Sequence, residues 1–293
     1  MGERPTFDLQ AHSTASDGAL SAAEVVRAAH AAGVRLLSLT DHDSVAGVQE
    51  ALETAAGLDG IEVVPGIEVS AIDGDRSDLH VCGYGIDHRS PPLLRVLEEW
   101  RADRAGRGDR MVAALRELGW AVDERPLAER RAAGGTIGRP HVAAAAFDHP
   151  DNAARVRSEG LATATDLLVA YLIPGAPAYR ERTRPTVAEA IEVIHAAGGV
   201  AVWAHPYWDI EDPAGVRETL ERFAALGLDG VEAFYVTFSA EQTRMLVAEA
   251  ERLGLLTTGS ADFHGPRHPS FSRFRAFDLH GLTPRLGPIA AGA

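Results

Sequence analysis

Short apolar runs alternate with amphipathic stretches in two parts of this chain, before about residue 90 and after about residue 186. The runs Phe7–Leu9, Val34–Thr40, Ile61–Val64, Leu79–Tyr84, Val200–Ala204, Leu228–Tyr235 and Leu255–Gly259 have the length and composition of buried strands. Helical stretches lie between them. Three open on capping boxes, Ser21 with Glu24, Thr186 with Glu189 and Ser239 with Gln242, which satisfy backbone N–H groups that a helix start leaves unpaired. Further helices are expected over Ser44–Ala56 and Pro213–Leu226. Repeated βα units of this length imply a parallel sheet with helices packed on it. Six or seven such units favour an α/β fold of the distorted (β/α)7-barrel type.

The pattern changes near Leu93. From Arg101 to Arg139 there are nine Arg and six acidic residues, with helical stretches and no clear strand. The expected organisation is a barrel formed by residues 1–92 and 186–293, interrupted by a mostly helical insertion over residues 93–185.

The chain has 293 residues, 46% of them hydrophobic, enough for a sizeable core. Its net charge is -14, which argues against stable binding of duplex nucleic acid. All 28 basic residues are Arg, so Schiff-base chemistry and a P-loop lysine are excluded. Cys82 is the only cysteine, so no internal disulfide can form, and its apolar surroundings suit a core residue. No apolar run approaches the ~18 residues of a membrane span, and a cytoplasmic protein is expected.

Residues of metal-ligand type recur just past the apolar runs. His12 follows the first, His42 the second, Glu68 the third, His205 a later one, and Asp262 and His264 the last. Asp17 lies in the loop after His12, and His80 near the start of its own run. Functional side chains of parallel α/β folds gather at the carboxyl ends of strands. Independent scatter would not put so many candidates at that edge, so the set points to a polynuclear metal site. Positions 10 and 12 differ by two, as do 262 and 264. Each pair is expected to share one face of an extended segment, and the pairs to meet across a closed barrel. Pro206 should bias His205 toward an extended conformation. Imidazoles with few carboxylates suit Mn, Zn or Fe better than Ca.

Several motifs occur in a family-specific order. They are Asp8-Leu9-Gln10-Ala11-His12 with Ser16-Asp17-Gly18, Leu39-Thr40-Asp41-His42-Asp43, Gly66-Ile67-Glu68-Val69-Ser70, Ala204-His205-Pro206 and Ser260-Ala261-Asp262-Phe263-His264. Over about residues 6–90 and 135–265 the chain resembles the PHP (polymerase and histidinol phosphatase) family. Ile137-Gly138-Arg139-Pro140-His141 and the stretch from Pro174 to Tyr179 resemble a subgroup with a helical insertion. That subgroup contains nucleoside-phosphate phosphatases and 5′–3′ exonucleases acting on short oligoribonucleotides.

The resemblance implies a metal-dependent phosphoesterase that hydrolyses a nucleotide or short oligonucleotide through a metal-activated hydroxide. It implies three adjacent metals. The first would be held by Gln10, His12, Glu68 and Asp262. The second would share Glu68 and add His80 and His205, and the third would use Asp17, His42 and His264. Three dications outweigh the charge of Asp17, Glu68 and Asp262, so the filled pocket would attract phosphate. Arg139 suits bidentate phosphate binding, and His141 suits a hydrogen bond or proton donation to the leaving group. Tyr179 could stack on a base or serve packing. Asp41 and Asp43 could fix imidazole tautomers or cap the helix expected from Ser44. Asp43 joins Arg139 and His141 among the candidate catalytic residues.

Gln10 departs from the family pattern, which has a His there. An amide oxygen is neutral and a poorer zinc ligand than imidazole. Two or three divalent metals are therefore expected, with Mg possible beside Gln10. Three filled sites with one weak, two filled sites, or an impaired phosphate-binding module all remain open. A carbon–nitrogen hydrolase is a further alternative, against which the absence of Lys counts.

Overall fold

The apolar runs fold into a seven-stranded sheet. The computed structural model describes residues 5–74, 76–132, 137–181 and 184–290. In chain order the elements begin with β1 (Phe7–Asp8), α1 (Ala22–Ala31), β2 (Leu36–Leu39), α2 (Val48–Ala56), β3 (Glu62–Asp73) and β4 (Arg76–Tyr84). Helices α3 (Pro91–Glu117), α4 (Arg125–Ala132), α5 (Arg139–Phe147), α6 (Ala153–Ser158), α7 (Ala164–Tyr171) and α8 (Val187–Ala196) follow. The chain then forms β5 (Val200–Trp203), α9 (Pro206–Asp209), α10 (Pro213–Ala225), β6 (Gly230–Tyr235), α11 (Ala240–Leu253) and β7 (Leu256–Ser260). These elements divide into two compact units, Met1–Leu97 with Pro185–Ala293, and Glu98–Arg184.

In the first unit the strands lie side by side in chain order. The β1–β2–β3 and β5–β6–β7 pairings are parallel, whereas β4 is antiparallel to both β3 and β5. The expectation of a wholly parallel sheet is thus corrected at one strand. The cause is local: β3 continues beyond Glu68 to Asp73 and turns straight back, with Asp73 paired to Arg76, leaving no room for a crossover helix. Reversal of β4 brings its early residue His80 to the edge where the parallel strands end. Opposite Ser70 and two positions from Cys82, which pairs with Glu68, His80 shares a face of the hairpin with Glu68.

The sheet closes where β7 meets β1. Leu9 N donates to Gly259 O at 3.2 Å and His12 N to Phe263 O at 2.8 Å, beside a parallel bridge between Ala11 and Phe263. The 10/12 and 262/264 segments therefore lie next to each other along this seam rather than facing across the barrel.

All three expected capping boxes form, at the starts of α1, α8 and α11. Helix α2 begins at Val48, later than expected, because the chain after His42 first makes a turn in which Asp43 adopts φ 49°. Val25, Val26, Leu37, Leu39 and Val63 pack between sheet and helices, each contributing about 1.5–3 kcal/mol of burial free energy. Trp203 on the sheet meets Phe223 of α10 edge to face at 5.1 Å. Cys82 is fully buried.

The described residues of the second unit form helices and turns only. Its core gathers Met111, Leu115, Trp120, Leu127, Val142 and Leu167. The Arg155 guanidinium lies 4.2 Å over the Trp120 ring.

Candidate metal centre

Glu68, fully buried in the middle of β3, is the centre of the site. Its Oε1 lies 2.8 Å from Gln10 Nε2, 3.0 Å from His80 Nδ1 and 3.2 Å from His205 Nε2. Its Oε2 lies 3.2 Å from both His12 Nε2 and His42 Nδ1. Asp262 Oδ1 is 3.1 Å from His12 Nε2 and 3.6 Å from His264 Nδ1. Asp17 closes the outer side, with oxygens 3.5 Å from His12, 3.6 Å from His42 and 3.6 Å from His264. The sheet edge thus brings together Gln10, His12, Asp17, His42, Glu68, His80, His205, Asp262 and His264. The tightest groups cut across the expected partition: one is His12, Asp17, His42 and His264, the other His42, Glu68 and His80.

The local sequence explains how the loops reach the site. Gly18 N donates to Ser13 O at 2.9 Å, folding the segment after His12 back on itself. A Cβ on Gly18 would come within 2.2 Å of His12 O, so only glycine permits this turn, which carries Asp17 inward. Asp41 holds the same turn through Ser13 N, Ser13 Oγ and Ser16 Oγ, each at 2.7 Å. Asp41 is thereby a loop anchor, not an imidazole acceptor. Asp43 Oδ1 accepts from Ser70 N at 3.0 Å, tying the His42 loop to β3.

Two backbone expectations are corrected. His205 is not extended but left-handed, with φ 31° and ψ 58°, and Asp262 is left-handed as well, with φ 53°. Such conformations strain a residue with a Cβ and persist only when surrounding groups fix them. For His205 the fixing group is Glu232, whose Oε2 accepts from His205 N at 2.9 Å while Oε1 accepts from Ser260 Oγ at 2.6 Å. Tyr235 Oη donates to Asp262 Oδ2 at 2.7 Å. Asp8 accepts from Ala261 N at 2.9 Å and Arg275 N at 2.8 Å, anchoring the strand before Asp262. Glu232, Tyr235, Ser260 and Asp8 were absent from the sequence-derived candidates. A signal did exist for Glu232, a carboxylate inside the apolar run Val231-Glu232-Ala233-Phe234.

Burial alone would raise Glu68, but the surrounding imidazoles, His42 and His80 foremost, hold it well below the usual carboxylate range. Burial likewise opposes protonation of His12 and His205, yet neighbouring carboxylates hold His12 well above its ordinary value and His205 at about 9. Burial pushes Glu232 up to about 8. Electrostatics therefore favour cations among these carboxylates. The unpaired atoms give a second test of fit for metal. Gln10 Oε1 and His205 Nδ1 are buried without a hydrogen bond, and His12 Nε2, His42 Nδ1, Glu68 Oε2 and Asp262 Oδ1 meet only as close nitrogen–oxygen pairs at 3.1–3.2 Å, without hydrogen-bond geometry. Each such atom costs about 1–3 kcal/mol if left unsatisfied. Imidazole and carboxylate donors at this density suit divalent transition metals.

The remaining candidates lie in the second unit. Arg139 opens α5, and His141 Nδ1 accepts from Gly138 N at 3.0 Å at the same helix start. Burial and the nearby Arg130 hold His141 below its ordinary pKa. Tyr179 is half-buried, with the Arg107 guanidinium 5.4 Å from its ring centre.

Histidines and carboxylates converge at the strand ends of a barrel, the donor set of a metal-dependent enzyme. The PHP domain profile matches residues 8–126. A 5′-3′ exoribonuclease from Haemophilus influenzae is 34% identical over 89% of this chain and 90% of its own length. A 3′,5′-nucleoside bisphosphate phosphatase from Chromobacterium violaceum is 34% identical over 89% of this chain and 87% of its own. A Bifidobacterium adolescentis structure, provisionally named a metal-dependent phosphoesterase, superposes with a TM-score of 0.68 at 29% identity, covering 92% of this chain and 91% of that one. The chain belongs to the PHP family and is a metal-dependent phosphoesterase. Among the described residues no helix is long and apolar enough to cross a membrane.

Proposed function

We propose that the chain hydrolyses a terminal phosphate ester of a nucleotide or short oligonucleotide, using two or three divalent ions of Mn, Zn or Fe. The observation that carries this reading is Glu68, one buried carboxylate within 3.2 Å of nitrogens from His12, His42, His80 and His205. Glu68, His80 and His205 would hold one ion, and Asp17, His42 and His264 another, with His12 and Asp262 completing the site. When bound, the metals supply a nucleophile at neutral pH and neutralise charge developing on the phosphoryl group.

The protein's own residues do the rest. Glu232 keeps the His205 backbone in its strained turn, and Tyr235 orients Asp262. Gln10 presents its amide nitrogen to Glu68 at 2.8 Å, which supports a role in orienting that carboxylate more than direct ligation. This favours two well-filled positions, the one beside Gln10 being weakest and the most tolerant of Mg. By family resemblance, the helical segment 93–185 supplies substrate contacts, with Arg139 gripping the phosphate, His141 assisting the leaving group and Tyr179 near the base.

A screen of metal-loaded protein against nucleoside monophosphates, nucleoside bisphosphates and short 5′-phosphorylated oligoribonucleotides tests the substrate class. Turnover of at least one of these, faster than of a generic aryl phosphate, is expected. Equal or better turnover of the aryl ester would remove the nucleotide assignment.

A further inference from the structure

An exposed indole stands beside the histidine–carboxylate cluster. Trp208 lies in α9, the single turn that follows β5 and His205, and is 56% exposed, more than any other large hydrophobic side chain among the described residues. The other three tryptophans, Trp100, Trp120 and Trp203, are buried. The Trp208 ring centre is 6.4 Å from that of His205 and 5.6 Å from that of Phe271, which in turn lies 5.5 Å from His264. The indole therefore borders two separate arms of the site.

Trp208 remains 56% exposed beside its ring neighbours. His205 and Tyr235 approach at interplanar angles of 71° and 87°, and Phe271 at 51°, so none of these rings stacks on it. Trp208 N donates to His205 O at 2.9 Å, which puts the indole on the same tight turn as a site histidine. Leaving so large an aromatic surface in water forgoes the burial that its area could supply. A ligand with a flat π-face would recover it.

We propose that Trp208 is a stacking platform for the base of the substrate, so that one nucleotide rests its base on the indole and its phosphate on the metal-binding cluster. This rests on the nucleotide reading given above and adds a residue that enforces it. Every base has a π-face, so the platform selects esters that carry a base without reading which base it is.

The test compares adenosine 5′-monophosphate with ribose 5-phosphate on the intact, metal-loaded protein. Trp208→Ala should lower the ratio of their kcat/KM values roughly ten-fold, while Trp208→Phe keeps most of the preference. In parallel, adenosine should quench tryptophan fluorescence in the unaltered protein and not in Trp208→Phe. An unchanged kcat/KM ratio in Trp208→Ala, or quenching that persists in Trp208→Phe, would overturn the proposal. If neither ester is hydrolysed, the ratio is measured on the nucleotide ester that the screen above turns over; if that screen finds none, the nucleotide-substrate reading fails, and the adenosine titration alone decides whether Trp208 stacks on a base.

Discussion

At the scale of single residues, the candidate site depends on groups that position the histidines and carboxylates as much as on those side chains themselves. Glu232 is the clearest case, because it accepts the backbone N–H of a histidine in a strained left-handed turn. Glu232→Ala removes the acceptor and is expected to weaken metal binding roughly 10–100-fold, as loss of a supporting contact typically does. Glu232→Gln, which keeps an acceptor oxygen, should retain most of it, and isothermal titration with Mn or Zn compares the two. Equal losses in both variants would mean that the charge matters and the acceptor does not. Gln10 makes the opposite prediction. Gln10→His should raise the number of metal ions per chain under identical loading, read by elemental analysis. No change would show that an imidazole at position 10 does not reach the metal.

At the scale of elements, the legibility of the sequence divides along physical lines. Strands were readable because buried parallel strands are short continuous apolar runs, and helices because their caps have fixed spacing: Ser21, Thr186 and Ser239 each cap as their Glu or Gln three residues on requires. The histidines and carboxylates that converge at the sheet edge were readable as a group because strand ends concentrate them. Strand direction was not, since the run Leu79–Tyr84 looks the same whether it runs up or down, and only the length of the turn after Asp73 decides. The left-handed turns at His205 and Asp262 were hidden for a related reason. They are imposed by Glu232 and by the seam, which lie far away in sequence. The Gly18 turn is local and carries its own prediction. In Gly18→Ala the new methyl would lie 2.2 Å from His12 O, so the loop must open and move Asp17. Lower metal content with nearly unchanged circular dichroism is expected; full retention of metal would show that Asp17 is not needed to hold it.

At the scale of the whole molecule, an acidic chain with net charge -14 carries a cluster of imidazoles around a few carboxylates. Bound metal would reverse the local sign and draw in a small phosphate, while the protein's overall charge disfavours long nucleic acid. The metal should also stabilise the fold, because the liganding geometry is absent from the unfolded chain. With free metal about 100-fold above its dissociation constant the gain is about 2.7 kcal/mol, so chelation should lower the melting temperature by on the order of 5–10 °C. A melting temperature unaffected by chelator would mean that metal is bound weakly or not at all. In the proposed reading, the Glu68 cluster holds the metal on which hydrolysis of the phosphate ester depends. One experiment counts metal ions per chain and the product released from the nucleotide ester that the screen turns over fastest, on the same samples of the unaltered protein and of Glu68→Gln. At least two ions per chain with turnover, and loss of both together in Glu68→Gln, is the predicted result. Undiminished product release by a metal-depleted Glu68→Gln protein would contradict it.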